Sequence, residues 1–317
     1  MKKLGYGMVV VLAACIGALA WSFAPATLPV TAPDMPLQLI HPQPPADMRV
    51  GVFMAGRMES QGAFAYRGGP FETIEFGMDV VVVEHPKGIL MFDSGFGRNV
   101  IKHTETIPWL MRQMSKITPE IPVVDQLSSA SLAPERIAGV ILTHAHWDHV
   151  SGLDDLRGVP VWITQTERDF IRDGGDKTTL ARSLGELNYR IYDFEGGPYW
   201  GFPASHDVFG DGSVVLVPAG GHTPGSIIAF IHSADGASYA LIGDLAWQHE
   251  GVDLPAERPW LSRVLVDEDA QGVRDALIKL HLLKMAKPDL VIVPAHDRRV
   301  MSTLPPATRS NPLAAPG

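Results

Sequence analysis

Short apolar runs broken by turn residues alternate along this chain with segments whose apolar positions recur every three or four residues. Asp79 to Glu84 (DVVVVE) and Gly88 to Phe92 (GILMF) are apolar runs split by His85-Pro86-Lys87, a pattern that predicts a β-hairpin. Further strands are predicted at Val140 to Thr143, Val161 to Thr164, Val214 to Val217, Ser226 to Ile231, Tyr239 to Ile242 and Leu290 to Val293. Helical patterns fall near Ile107 to Ile117, Glu167 to Arg172 and Asp267 to Lys287. In the last of these, Val273, Ala276, Leu277, Leu280 and Leu283 make one apolar face, Asp267 is placed to cap it and Pro288 ends it. Strands interleaved with helices indicate an α/β sandwich whose sheets are buried between helical layers.

The ends of the chain have a different texture. Lys2 and Lys3 precede an apolar stretch from Leu4 to about Phe23, with small-residue cleavage sites at Ala18-Leu19-Ala20 and Ala24-Pro25-Ala26. Residues 1–26 are therefore expected to be a signal peptide, or a membrane anchor if retained, since the stretch is about long enough to span a bilayer. Leu12-Ala13-Ala14-Cys15 also resembles a lipoprotein processing site, although the residues after Cys15 stay apolar. A cleaved, exported form, periplasmic or secreted, is the favoured reading, with membrane contact only through the N-terminal segment. Residues 27–47 are Pro-rich and without period, an extended linker or an arm lying over the domain. The folded body is expected over 48–304, followed by a loose tail at 305–317.

The length of 317 residues suits one large domain or two small ones, and 46% hydrophobic content is ample for a core. The formal net charge of −9 makes the chain a poor candidate for tracking a nucleic-acid backbone, so a small-molecule substrate is expected instead. Cys15 is the only cysteine. The folded body thus offers no disulfide and no thiolate ligand, and any metal site must be built from His and carboxylates.

Such residues are concentrated in one place. Ile141-Leu-Thr-His144-Ala-His146-Trp-Asp148-His149 runs an apolar strand straight into three histidines and an aspartate. In an extended segment residues two apart point the same way, so His144 and His146 can grip one ion. Asp148 and His149 follow where the chain turns, displaced toward a second ion. Three further segments each offer one ligand beside turn-forming residues: Gly221-His222-Thr-Pro-Gly225-Ser226, Leu241-Ile-Gly243-Asp244 and Val291-Ile-Val-Pro294-Ala-His296-Asp297. A lone histidine at a strand end is more often an ordinary packing residue. A dense motif followed by three more such segments is not ordinary.

HAHWDH, GHTPGS, IGD and PAHD in this order resemble the metallo-β-lactamase superfamily, over about Arg49 to Asp297. The resemblance implies a four-layer αββα sandwich with two zinc ions at one edge of the two sheets. It implies His144, His146 and His222 on the first zinc, Asp148, His149 and His296 on the second, and Asp244 bridging both. Phe92-Asp93-Ser94-Gly95 looks like the family's earlier Asp-x-Gly turn, making Asp93 a residue that orients a ligand rather than binding metal. His41, His85, His103, His206, His232, His249 and His281 match no motif position and are expected to be surface or packing residues; His249 lies closest to Asp244 in sequence.

Two zinc ions in such a centre would supply an acidic water as nucleophile toward a carbonyl carbon, and Asp148 is expected to help orient it or relay the proton. No GxSxG nucleophile signature is present. Superfamily members cleave β-lactams, lactones, thioesters and phosphodiesters, so fold alone does not choose. Size and motif order are similar to the acyl-homoserine lactonase-like group, in which a Tyr follows the bridging Asp by three; here that position is Trp247, expected to face the substrate cleft. A lactone or other carboxylic ester is the first expectation, with β-lactamase, thioesterase or phosphodiesterase activity as alternatives. A di-iron redox protein or a non-catalytic metal-binding module are the readings outside hydrolysis.

Overall fold

Every short apolar run singled out along the folded body contributes to a strand. The computed structural model describes residues 2–31, 37–130, 132 and 136–307. Its strands are β1 (Arg49–Phe53), β2 (Gly56–Gln61), β3 (Thr73–Gly77), β4 (Val80–His85), β5 (Gly88–Phe92), β6 (Lys116–Pro119), β7 (Ile137–Ile141), β8 (Val161–Ile163), β9 (Tyr189–Ile191), β10 (His206–Asp207), β11 (Val214–Pro218), β12 (Ile227–His232), β13 (Ser238–Leu241) and β14 (Leu290–Val293). One sheet has the order β1-β4-β5-β7-β8-β9 and a second β10-β11-β12-β13-β14, with a small third sheet β3-β2-β6. The hairpin forms as expected, with His85 opposite Gly88.

Continuous apolar runs reflect burial on both faces, and the packing has three apolar layers. Between the sheets, Val81, Val83, Leu90 and Phe92 meet Leu216, Ala229, Ile231 and Leu241. The alternate residues Val82, Ile89, Met91 and Val140 pack outward with Leu153, Ile171 and Leu180. On the far side, Val215, Val217, Ile228, Phe230 and Ala240 pack on Val273, Ala276, Leu277, Leu280 and Leu283 of the helix Ala270–Ala286. Period-two alternation thus sends each strand's residues into two different layers, and the result is the expected αββα sandwich.

The helices differ from the sequence expectation in detail. The helix Ala270–Ala286 is capped by Asp269, whose side chain accepts from Gln271 N, and not by Asp267. The helical pattern over Ile107 to Ile117 yields only Trp109–Gln113, because Ile117 is drawn into β6 opposite Met58. The helix Gln165–Asp173 contains the expected Glu167 to Arg172 and is capped by Thr164. Strands β1, β2, β3, β6, β9 and β10 were not among the predicted runs; β2 and β6 bury at most one face and carry few apolar residues.

At the N-terminus a helix runs over Lys2–Phe23, and Arg67 donates to the carbonyls of Trp21 in its last turn and Ala24 just after it. Among the described residues, no helix is long and apolar enough to cross a membrane. The arm that follows lies on the domain: Leu28, Leu37 and Ile40 pack on the layer under the helix Ala270–Ala286, and Leu28 N donates to Pro255 O. Residues 32–36 of the linker, and residues 308–317 of the tail, lie outside the described residues. Pro305 to Ala307, expected to be loose, instead run beside β1, where Val52 N donates to Pro305 O and Ala307 N to Val52 O.

Strands β5 and β7 are parallel, and so are β13 and β14; β11, antiparallel to β12, runs with the latter pair. Their carboxyl ends lie at one edge, and the segments that follow them carry the polar motifs. Leu280 is fully buried where the helix Ala270–Ala286 meets the sheet. Leu280→Ala should cost about 2–5 kcal/mol of unfolding free energy, measured by denaturant titration with unchanged far-UV dichroism.

Candidate metal centre

The segments after β7, β11, β13 and β14 bring seven polar side chains together, and all seven are buried. His146 is extended (φ −72°, ψ 162°) and precedes the single-turn helix Trp147–Val150. His144 and His146 therefore reach the centre from extended chain, whereas Asp148 and His149 reach it from the helical turn. His222 lies in the loop opening β12, Asp244 follows β13 and His296 follows β14.

Two groups of ligand atoms result. In the first, His222 Nε2 lies 2.9 Å from His146 Nδ1 and 3.2 Å from His144 Nε2. In the second, Asp148 and His149 gather with His296, whose Nε2 is 3.4 Å from Asp148 Oδ2. The Asp244 carboxylate stands between them. Its Oδ1 is 3.2 Å from His149 Nε2 and 3.0 Å from His296 Nε2, and its Oδ2 is 3.6 Å from His222 Nε2 and 4.0 Å from His144 Nε2.

The outer nitrogens explain which atoms face inward. His222 Nδ1 donates to Asp267 Oδ1 at 2.8 Å, His149 Nδ1 to Asp93 Oδ2 at 2.8 Å, His296 Nδ1 to Gly77 O at 2.7 Å and His144 Nδ1 to Thr143 Oγ1 at 3.2 Å. Each outward contact turns the other ring nitrogen toward the centre. Burial, joined by the neighbouring histidines, pushes His144 and His146 well below the usual imidazole range; burial also lowers His222, against the pull of Asp267 and Asp244. At His149 burial pulls the same way, but Asp93, Asp244 and Asp148 outweigh it and raise the group well above that range. Burial would raise Asp244, yet His296 and His149 hold it well below the carboxylate range. His149 Nε2 and Asp244 Oδ1 face each other without hydrogen-bond geometry. Converging imidazole nitrogens and an ionised carboxylate, all buried, fit a divalent cation.

Supporting contacts come from the Asp-x-Gly turn and from residues with no motif of their own. Asp93, held at φ 60°, accepts from Thr143 N and Thr143 Oγ1, both at 2.7 Å, as well as from His149. Asp267, read from sequence as a helix cap, orients His222 and pairs with the buried Arg258 at 2.9 Å. Arg258 also donates to the Asp244 carbonyl and lies over the Trp247 ring, 4.7 Å from its centroid. Trp247 Nε1 donates to Asp244 Oδ2 at 2.8 Å. Burial pushes the Glu167 carboxyl up to about 7, although Thr223, Ala145 and Gly225 all donate to it. Sequence reasoning missed Glu167 and Arg258 because each is a single charged residue in an ordinary helical or loop context.

The remaining histidines stay apart from this centre. His249 pairs with Asp297 at 2.7 Å in a surface cluster with Glu250 and Arg299, and His85 pairs with Asp211. Beside the centre lies a cavity of about 80 Å³, where Asp148, His146, Asp244 and His296 meet Met58, Phe76, Met111 and Trp247. A second, of about 50 Å³, shares Met58, Phe76 and Trp247 and adds Phe64, Leu110 and Met114.

The family model of the metallo-beta-lactamase superfamily matches residues 75–296, from β3 to the last histidine of the centre. The chain belongs to this superfamily. Similar proteins include a probable metallo-hydrolase of Mycobacterium tuberculosis, 25% identical over 69% of this chain and 74% of its own. A probable metallo-hydrolase of Bacillus subtilis is 29% identical over 34% of this chain, so the chain spans about half that relative's length (49%). An N-acyl homoserine lactonase of Bacillus thuringiensis is 23% identical over 54% of this chain and 65% of its own. A solved N-acyl homoserine lactone hydrolase, with N-hexanoyl-L-homoserine at its catalytic metal centre, shares the fold at a TM-score of 0.63 and 17% identity, covering 81% of this chain and 96% of that one.

The Asp93 contacts give a direct test. Asp93→Asn places an amide where three donors converge and should weaken divalent-metal binding about ten- to hundredfold, read by competition against a chromophoric chelator.

Proposed function

We propose that this protein is a zinc-dependent hydrolase of a lactone or other carboxylic ester, with His144, His146 and His222 on one ion, Asp148, His149 and His296 on the other, and Asp244 between them. The observation that carries the reading is the buried Asp244 carboxylate, with ligand groups on either side, in the wall of an apolar cavity. Imidazole and carboxylate donors without a thiolate suit zinc. Two zinc ions supply Lewis acidity and a water acidic enough to serve as a nucleophile at neutral pH.

The chain's own residues then divide the work. Asp148 lies in the cavity wall with Oδ2 3.4 Å from His296 Nε2, placed to orient the nucleophile and to move a proton to the leaving group. Trp247 stands where the lactonase-like group carries Tyr. Its only N–H is committed to Asp244, so the indole meets substrate as an apolar wall and donates nothing to it. Met58, Phe76 and Met111 extend that wall and favour an apolar acyl portion. The net charge of −9 disfavours polyanionic substrates. The names of the N-acyl homoserine lactonase relatives point the same way. We further infer export from the Lys-Lys and apolar N-terminus; an intact Met1 protein in the cytosolic fraction would overturn that.

Purified protein should carry about two zinc per chain and lose ester or lactone hydrolysis in chelator, with zinc restoring it; elemental analysis dominated by iron, or a single metal, counts against the reading. Asp148→Asn should fold normally and lose about a hundredfold or more in kcat, while Trp247→Ala acts mainly on KM. Steady-state kinetics with metal content measured in parallel decides, and near-wild-type kcat in a fully loaded Asp148→Asn refutes its assigned role.

A further inference from the structure

Five imidazoles point into the centre, and four of them are oriented by a hydrogen bond from the outer ring nitrogen. His146 is the exception. Its Nε2 is buried without a hydrogen-bond partner among the described residues, and the ring meets Phe170 edge-on at 6.2 Å. The direction of His146 must therefore be set by the backbone beside it. There, Ala145 N, between His144 and His146, donates to Glu167 Oε1 at 2.7 Å.

The other oxygen of the same carboxylate holds a different loop. Glu167 Oε2 accepts from Thr223 Oγ1 at 2.8 Å and from Gly225 N at 2.9 Å, just after His222. The approach is close enough that a Cβ on Gly225 would lie 2.5 Å from Glu167 N. Glu167 is itself fixed: its N–H donates to the cap Thr164 at 3.1 Å, at the start of the helix that also carries Phe170. The residue is 1% exposed, and its carboxylate reaches no ligand atom directly.

We propose that Glu167 is the positioning residue of the three-histidine site, one carboxylate that sets the spacing between the loop bearing His144 and His146 and the loop bearing His222. The proposal rests on the two-metal reading above. A carboxylate suits the task because all three partners are donors and it accepts only. Glu167→Gln keeps the size but turns an N–H₂ group toward at least one of those donors, leaving buried groups unmatched. The Asp148, His149 and His296 group makes no contact with Glu167 and should be spared.

The test is cobalt(II) titration of the metal-stripped full chain, followed by the visible absorption of the bound ion. Wild type should take two equivalents. Glu167→Gln, shown folded by circular dichroism, should bind one with wild-type affinity and the other about ten- to hundredfold more weakly, with altered bands for the weakened ion only. Thr223→Val removes the hydroxyl that donates to Glu167 and meets Ser226 Oγ at 2.7 Å, leaves no buried amide, and should weaken the same equivalent to a smaller extent. It also decides the matter if Glu167→Gln does not fold. Fewer than two equivalents in wild type overturns the metal reading and the proposal with it. A two-equivalent wild type whose variants titrate unchanged, or weaken alike at both sites, overturns the role of Glu167 alone.

Discussion

At the edge of the sandwich, imidazole nitrogens that have no proton to share are held about 3 Å apart around one buried carboxylate. Buried polar groups left without a partner cost about 1–3 kcal/mol each, and a cation placed among these would offset the cost. Much of the surrounding structure serves to keep that arrangement from relaxing. Outer ring nitrogens are tied to Asp93, Asp267, Thr143 and Gly77, so the rings cannot turn their lone pairs away. Asp93 sits at φ 60°, a conformation an aspartate adopts at a cost of its own.

The scaffold makes this possible through strand direction. Each ligand segment begins within a few residues of the end of a strand whose side chains are almost all buried, so its first residue inherits the rigidity of a core. The layers on either side differ in kind. The helix Ala270–Ala286 packs by regular apolar spacing, whereas the opposite face is covered by short helices and turns that also form the cavity. Regular packing supports the centre from behind, and irregular packing in front leaves room for a substrate.

Much of this was legible in the residue order. Runs such as DVVVVE and VVLV announce strands because burial on both faces removes alternation, and the HAHWDH segment announces a cation because few other tasks need so many ligands together. What stayed hidden was of two kinds. Strands β2 and β6 carry Arg57, Glu59 and Lys116 on exposed faces, and their pairing is decided by partners far away in the chain. Among the supporting residues, Asp93 was legible from its Asp-x-Gly turn, whereas Glu167, Arg258 and the role of Asp267 were hidden because one carboxylate or guanidinium carries no spacing signal. Asp267 shows this well: two residues before the true cap Asp269, it has the composition of a helix start and the contacts of a ligand's partner.

Arg258 ties together parts that would otherwise be separable. One buried guanidinium pairs with the aspartate behind His222, donates to the carbonyl of Asp244, and lies under the indole that walls the cavity. A substitution at Trp247 is therefore felt at two ligands, and a substitution at Asp267 is felt in the cavity. Residues that share a partner in this way respond non-additively to change. Altered substrate preference in this lineage would then arise more readily at Met58 and Met111 than through the tryptophan or through Phe76, which packs edge-on against it at 5.9 Å.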